Sequence, residues 1–430
     1  MTGTARQEVV NDYERMIEEG TTALSTLIKD TLPLILSNAS SSFLPQFSTS
    51  TQFLNPFPSS VVVAIVENHL GWNVNTPLHF STSEPSLKVT DHAGNVIASQ
   101  ISKSYNFSTN GNLYDLHFFP NLPPLSYSTF FISRSAKSKH KVSESASLEN
   151  EFLRLDFDPS TGLMSHLTNK LIAKTISFHQ NFKKYGSSLG SAYIFRPNVE
   201  YDVAEKCSLS FDQGPLVKRA TQVFGASISQ TITLYAGQAY LEVTQHVQMD
   251  DVERDLVSVF NTNMSSGDSF YTDDSGMQIK QRKWLENSFV VEGNYYPVVS
   301  TMFLLDHSQN TQLAFLTAHS HGGTSRGNGQ VELMLHRRMD KLGFPSLGLG
   351  QPLNDTTAIN DTMWIMFGDY DTVNRERHRK VLELNNKPHA FFSSTNSTQF
   401  WNSNIKSSPI SFLKSNPPQK LSLSHSLPFF

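Results

Sequence analysis

A single cysteine, Cys207, in 430 residues leaves no partner for an intrachain disulfide, so a disulfide-held scaffold is excluded. Long apolar runs are equally scarce. The longest aliphatic run, residues 61–66, falls far short of the roughly 20 residues a helix needs to cross a bilayer. Charges are scattered through the first twenty residues, which hold no apolar stretch of the kind that marks a secretory leader. Neither sign of charge dominates: 34 Lys and Arg stand against 38 Asp and Glu, a net charge of -4, with no long basic or acidic block. That balance argues against nucleic acid or an anionic membrane as a partner. A phosphate-binding P-loop, a dinucleotide fingerprint and a G-x-S-x-G nucleophile elbow are all missing.

Aromatic residues and strand-like alternation are plentiful. With 30 Phe, 13 Tyr, 38% hydrophobic and 17% charged residues, the composition suits a mainly β protein, and the length implies two or three domains. Residues 1–36 carry two helical patterns. One spans 5–20 and is stopped by Gly20; the other runs through Leu24, Leu27 and Ile28 to a stop near Pro33. Each has one apolar face, and two short helices cannot make a core alone. Residues 37–60, rich in Ser, Thr and Pro, read as a linker. Strand candidates at 61–67, 86–91, 95–100, 113–119 and 127–133 predict a small β-sandwich over 61–135, with a hairpin turn at Asp91-His92-Ala93-Gly94-Asn95. A Ser/Lys-rich hinge covers 136–146. In the next region Leu153, Leu155 and Phe157 alternate with Arg154, Asp156 and Asp158 before Pro159-Ser160-Thr161-Gly162 turns the chain back. Similar alternation at 228–235 and 241–247 predicts a large two-sheet sandwich over 148–385. Residues 386–430, with few periodic apolar positions, are expected to be a poorly ordered tail.

The stretch 270–339 concentrates the candidate chemistry. Its turns at Asp273-Asp274-Ser275-Gly276 and Gly322-Gly323-Thr324-Ser325-Arg326 are dense in hydrogen-bonding groups. Glycine lets backbone approach a ligand, and an arginine in such a turn can offer forked donors to sugar hydroxyls or carboxylates; an ordinary tight turn with a solvated arginine is the other reading. His319 and His321 at i, i+2 with His336 on the next strand allow a three-imidazole zinc site to be drawn, though no acidic residue nearby would orient the rings. Asp156 with Asp158, Asp250 with Asp251, and Asp273 with Asp274 read as turn residues, because the two carboxyls of a glycosidase normally come from separate elements. Cys207 reads as inert. Asn-x-Ser/Thr sequons at Asn38, Asn106, Asn263, Asn354, Asn360 and Asn396 are about as many as this composition gives by chance.

Three places together resemble the glycoside hydrolase family 38 α-mannosidases, the lysosomal type most closely. Residues 2–13 (TGTARQEVVNDY) look like the family stretch that follows its His-His-Asp-Ala-aliphatic motif. Residues 148–162 (LENEFLRLDFDPSTG) are similar to the start of the family's large sandwich, and FYTDDSG, NYYPV, GGTS and HRRM match in order and spacing. The resemblance covers roughly residues 2–400 and implies a remnant of a three-helix bundle, a small β domain, and a large galactose-mutarotase-like sandwich. It implies that the family's catalytic α/β barrel, with its Asp nucleophile, acid/base Asp and zinc ligands, precedes Met1, so that no catalytic or metal residue is expected in this chain. It also implies that residues 319 and 321 are not metal ligands. Two positions carry over to the pocket wall. Tyr193 looks like the tyrosine of the family's Ser-Gly-Ala-Tyr, with Ser and Gly exchanged. Arg326 looks like the arginine after its Gly-Gly-Ser-Ser turn, one residue shorter here. The expected function is therefore the C-terminal, non-catalytic portion of a retaining α-mannosidase. It would act on mannose-containing glycans in the lysosome or secretory lumen, with the missing catalytic domain as partner. A stand-alone carbohydrate-binding or pseudoenzyme module is the alternative, and a β-sandwich interaction protein without a sugar role a third.

Overall fold

The computed structural model describes residues 7–38, 41–49, 54, 60–104, 114–135, 146–186, 195–249, 254–286, 291–339 and 354–413. The protein is mainly β and divides into two compact units. One consists of Met1–Arg15, Glu144–Gln213 and Lys218–Leu384, the other of Met16–Ser143, Gly214–Val217 and Asn385–Phe430.

In the larger unit two nine-stranded antiparallel sheets pack face to face. The first runs, edge to edge, through Tyr296–Val298, His321–Thr324, Gln330–Arg338, Arg254–Thr262, Lys174–Gly186, Met164–Asn169, Leu153–Phe157 and Ser147–Glu149. The short strand Val199–Asp202 pairs with the far end of Lys174–Gly186. The second runs through Ser208–Gln213, Val217–Val223, Ile228–Tyr235, Leu241–Val247, Ile359–Asp369, Thr311–Thr317, Thr301–Asp306, Ser269–Asp274 and Gln278–Lys283. The period-2 pattern of these sequences explains the packing, since alternate side chains enter the space between the sheets. Phe178, Leu241, Phe260, Phe315, Leu333 and Ile365 belong to one large buried cluster; Phe182, Phe224, Val247 and Leu256 form a second.

A polar layer separates the two clusters. On five strands that contribute to both, the inward residue between them is Gln180, Gln222, Gln230, Gln245 or Ser258, all fully or almost fully buried. Gln230 donates to Gln180 (2.8 Å) and Gln222 (2.6 Å) and accepts from Gln245 (3.2 Å), while Ser258 accepts from Gln180 (3.1 Å) and Gln245 (3.0 Å). Buried amides are tolerated because most of their polar groups bond to one another across the two sheets.

In the smaller unit Val61–Asn68 is the heart of a six-stranded sheet, packed with a three-stranded one around Val62, Ala64, Val66, Leu116, Phe118 and Phe392. Its other face covers Leu32, Leu36, Phe47 and Trp401. Three readings of the sequence are corrected here. The N-terminal segment is one helix, Gln7–Leu36, and not two: Gly20 costs a helix interior only about 1 kcal/mol, and the apolar spacing carries straight on from Ile17 to Leu24. Within 37–60, Phe47 and Leu54 are buried and Ser48 bridges to Phe392, so this stretch is pinned where described. Residues 386–413 do not form a loose tail. His389–Thr395 pairs along the whole of 61–67, burying Phe391 and Phe392, and the helix Thr398–Asn404, capped by Ser397, buries Trp401. Two aromatic residues among serines and threonines gave too little alternation to betray a strand.

Candidate functional site

The first sheet of the large sandwich carries a charged and aromatic cluster on the face turned away from the second sheet. Alternation dictates its membership. On Lys174–Gly186 the residues Phe178, Gln180 and Phe182 face inward, which sends Lys183 and Tyr185 outward; on Gln330–Arg338, Val331 and Leu333 face inward and Glu332 outward. Register then aligns Glu200, Tyr185, Asp255 and Arg337 in one row across four strands, and Val259, Glu332 and Thr324 in another.

The turn that follows His321–Thr324 brings Arg326 to this cluster. Two glycines permit it. A Cβ at Gly323 would lie 2.6 Å from the Val298 side chain, and Gly329, at φ +73°, would meet Thr262 O at 2.4 Å. The turn is pinned by Ser325 Oγ donating to Gly327 O (3.0 Å), Gly329 N donating to Ser266 Oγ (2.9 Å) and Gly267 N donating to Asn328 Oδ1 (2.9 Å). Arg326 Nη1 donates to Glu200 Oε1 and to the Tyr185 hydroxyl (3.1 Å), and its guanidinium lies 5.6 Å from the centre of the Trp284 ring. Among the described residues its Nε and Nη2 groups donate to nothing, and the side chain is 27% exposed. Burial works against the charge of Arg326, but Tyr185, Glu200 and Glu332 more than offset it and hold the guanidinium firmly protonated.

Behind Arg326 the cluster is buried. Tyr185 and Tyr295 both donate to Glu332 Oε2, at 2.7 and 2.8 Å, and Glu332 is 0% exposed. Burial raises the Glu332 carboxyl above its ordinary range, although the two tyrosines and the charges of Arg326 and Lys183 pull the other way. Burial likewise lifts both phenols. Phe195 stands edge-on to Tyr185 and Tyr295, with ring centres 5.6 and 5.0 Å away, and Arg337, paired with Asp255, lies 5.9 Å over its ring. An anchored guanidinium with a free edge beside an indole can receive vicinal hydroxyls or a carboxylate.

Of the two residues singled out from sequence, Arg326 sits in this cluster and Tyr193 lies outside the described residues. The three histidines from which a zinc site could be drawn have separate surroundings. His319 is exposed in the bend between two strands, and His321 is buried with Nε2 3.2 Å from Asp361 Oδ1 and Nδ1 2.8 Å from Met334 O. His336 is 3.3 Å from Thr357 O. Among the described residues no group of three or more His, Cys, Asp or Glu is placed to hold a metal, so these residues do not fit a zinc ion. Asp273 is buried within its strand, where it accepts from Val299 N, Ser300 N and Ser300 Oγ; Asp158 caps its hairpin through Ser160, and Asp250 and Asp251 lie outside the described residues. Burial pushes the Cys207 thiol up to about 11. Tyr185, Glu200, Tyr295 and Glu332 were not singled out. The one signal available was Glu332 itself, a charge set inside the apolar run Val331 to Leu335.

The fold defines a two-unit β-sandwich protein, and comparison with known proteins narrows the class. Residues 148–341 match the family model for the glycosyl hydrolases family 38 C-terminal domain, so this part of the chain is a domain of that family. Lysosomal alpha-mannosidase of Homo sapiens is 31% identical over 390 residues, 82% of this chain and 38% of the relative. The Dictyostelium discoideum lysosomal alpha-mannosidase is 27% identical over 468 residues, 94% of this chain and 45% of the relative. Alpha-mannosidase of Canavalia ensiformis is 27% identical over 418 residues, 84% of this chain and 42% of the relative. The chain thus spans less than half the length of these relatives. The crystal structure of an alpha-mannosidase from Enterococcus faecalis V583 shares the fold, with a TM-score of 0.59 at 12% identity over 80% of this chain and 47% of that one.

Proposed function

We propose that this chain supplies the scaffold and one pocket wall of a retaining α-mannosidase that removes terminal α-mannosyl residues from glycans in the lysosome or secretory lumen. The nucleophile, acid/base and zinc ligands are contributed by sequence outside it. The observation that carries the reading is Arg326, whose Nη1 is anchored by Glu200 and Tyr185 while its Nε and Nη2 edge is left for hydroxyls of a sugar. Identity to alpha-mannosidases over most of the chain supports the substrate class, and a matched domain described as C-terminal supports the division of labour. The N-terminal helix supports a partner: Tyr13, Met16, Ile17, Leu24 and Leu27 form an exposed apolar stripe at helical spacing, as expected of a bundle helix that meets the catalytic domain.

The test is assay of the purified chain, with and without zinc, on an aryl α-mannoside, alongside calorimetric titration with mannose. No hydrolysis and millimolar-range binding are expected, because reacting groups must be held together to within about 0.5 Å. Turnover that survives removal of contaminating enzyme overturns the reading. Arg326→Ala is expected to abolish the residual binding without changing the unfolding midpoint. The alternative is a self-sufficient carbohydrate-binding module. Micromolar mannose or mannobiose binding selects it.

A further inference from the structure

The Tyr185 hydroxyl has one proton and stands between two demands. It donates to Glu332 Oε2 at 2.7 Å, so its lone pairs are what Arg326 Nη1 meets at 3.1 Å. A tyrosine hydroxyl without that acceptor is free to swing its proton toward the guanidinium, where two donors would face each other. Glu332 therefore decides which way the Tyr185 hydroxyl is polarised. It is in turn fixed by a second donor, Tyr295, at 2.8 Å on the same oxygen, and Phe195 wedges the two phenol rings in place. Glu332 is fully buried, and its Oε1 has no hydrogen-bond partner among the described residues. A carboxylate kept at 0% exposure with half its capacity unused is costly to the fold, and packing alone would be better served by leucine. Nothing in the strand requires it either, since its neighbours across the sheet are Val259 and Thr324.

We propose that Glu332 is a positioning residue for Arg326. Acting through the Tyr185 hydroxyl, it holds Nη1 as an anchor so that the Nε and Nη2 edge stays available to a sugar. Glu200 takes the other Nη1 proton from the opposite side, so the two carboxylates orient the guanidinium plane between them. This rests on the sugar-binding reading of Arg326 for its purpose, but its mechanics can be measured without any sugar.

The experiment is arginine side-chain NMR on the full chain, reading the rotation of the Arg326 Nη groups, together with titration of methyl α-mannoside. The variants are Glu332→Gln, Glu332→Leu and Tyr185→Phe. In the unsubstituted chain the Nη1 signals are expected to be split by slow rotation. Glu332→Leu and Tyr185→Phe should merge them and weaken mannoside binding about fivefold, the value of one ordinary hydrogen bond. Glu332→Gln, which keeps an acceptor oxygen for both tyrosines, should restore most of the order. A merely structural role would not distinguish Gln from Leu at the Arg326 resonance in folded protein. Should Glu332→Leu fail to fold, Tyr185→Phe still decides, since it removes the relay and leaves the carboxylate. Unchanged Nη1 rotation in Tyr185→Phe overturns the proposal and leaves Glu200 as the sole anchor. Merged signals with no mannoside bound by any form uphold the positioning and overturn the sugar reading instead.

Discussion

His321 is an imidazole whose side chain is 5% exposed, facing Asp361 at 4%, on strands of the two opposed sheets. Burial disfavours its charge, but Asp361 and the Met334 carbonyl outweigh that and hold its pKa above the ordinary imidazole range. A folded-state value raised above the unfolded one means that the native protein binds the proton more tightly. The resulting stability is complete below about pH 6.5 and is lost as pH rises through the folded value. Urea midpoints should therefore fall from about pH 6 to about pH 9. Asp361→Asn should start lower by about 3 kcal/mol and change little over that window. Parallel slopes in the two proteins would exclude His321 as the source. At this scale the sequence was legible only where a residue carried its own context. Arg326 could be picked out because glycines precede it, whereas its partners Tyr185 and Glu200 lie 141 and 126 residues away and meet it only through strand register. His321 was noticed for the wrong company. Its neighbour His319 is exposed in a bend, and the acid that completes it sits across the sandwich.

At the scale of elements, the glutamine layer explains why the interior of the sandwich is divided. Gln230 donates to Gln180 and Gln222 and accepts from Gln245, so Gln230→Leu would leave the buried Gln180 and Gln222 amide oxygens without that donor and Gln245 with Ser258 as its remaining acceptor. A loss of about 3 kcal/mol in urea unfolding is expected, although leucine is the more apolar residue; a neutral or stabilising result would mean that the layer is dispensable. The N-terminal helix offers the opposite case, apolar groups left in water. Ile17 and Leu24 are 68% and 61% exposed, so replacing both with glutamate should leave the unfolding midpoint within about 0.5 kcal/mol while reducing self-association in sedimentation. If instead the midpoint drops, the stripe is packed in solution. Strand-rich character was readable from period-2 patterns such as Leu153, Leu155 and Phe157, and those positions are indeed the buried ones. Element ends were less so: a glycine without a following cap, Gly20, did not end a helix.

For the molecule as a whole, the mainly β class was plain from composition, and the family from short motifs, but the return of the chain after the large sandwich into the smaller unit was not. The smaller unit is closed by His389–Thr395, sequence whose composition gave no hint of a strand. That closure has a bearing on how the protein comes into being. Val61–Asn68 is an almost unbroken aliphatic strand that finds one neighbour in Ser126–Arg134 soon after its own synthesis. Its other edge waits for His389–Thr395, which is synthesised on the order of three hundred residues later. Until then the nascent chain displays an unpaired Val-Val-Val-Ala-Ile-Val edge of the kind that recruits other strands, so this region would be the one in most need of chaperone cover during synthesis.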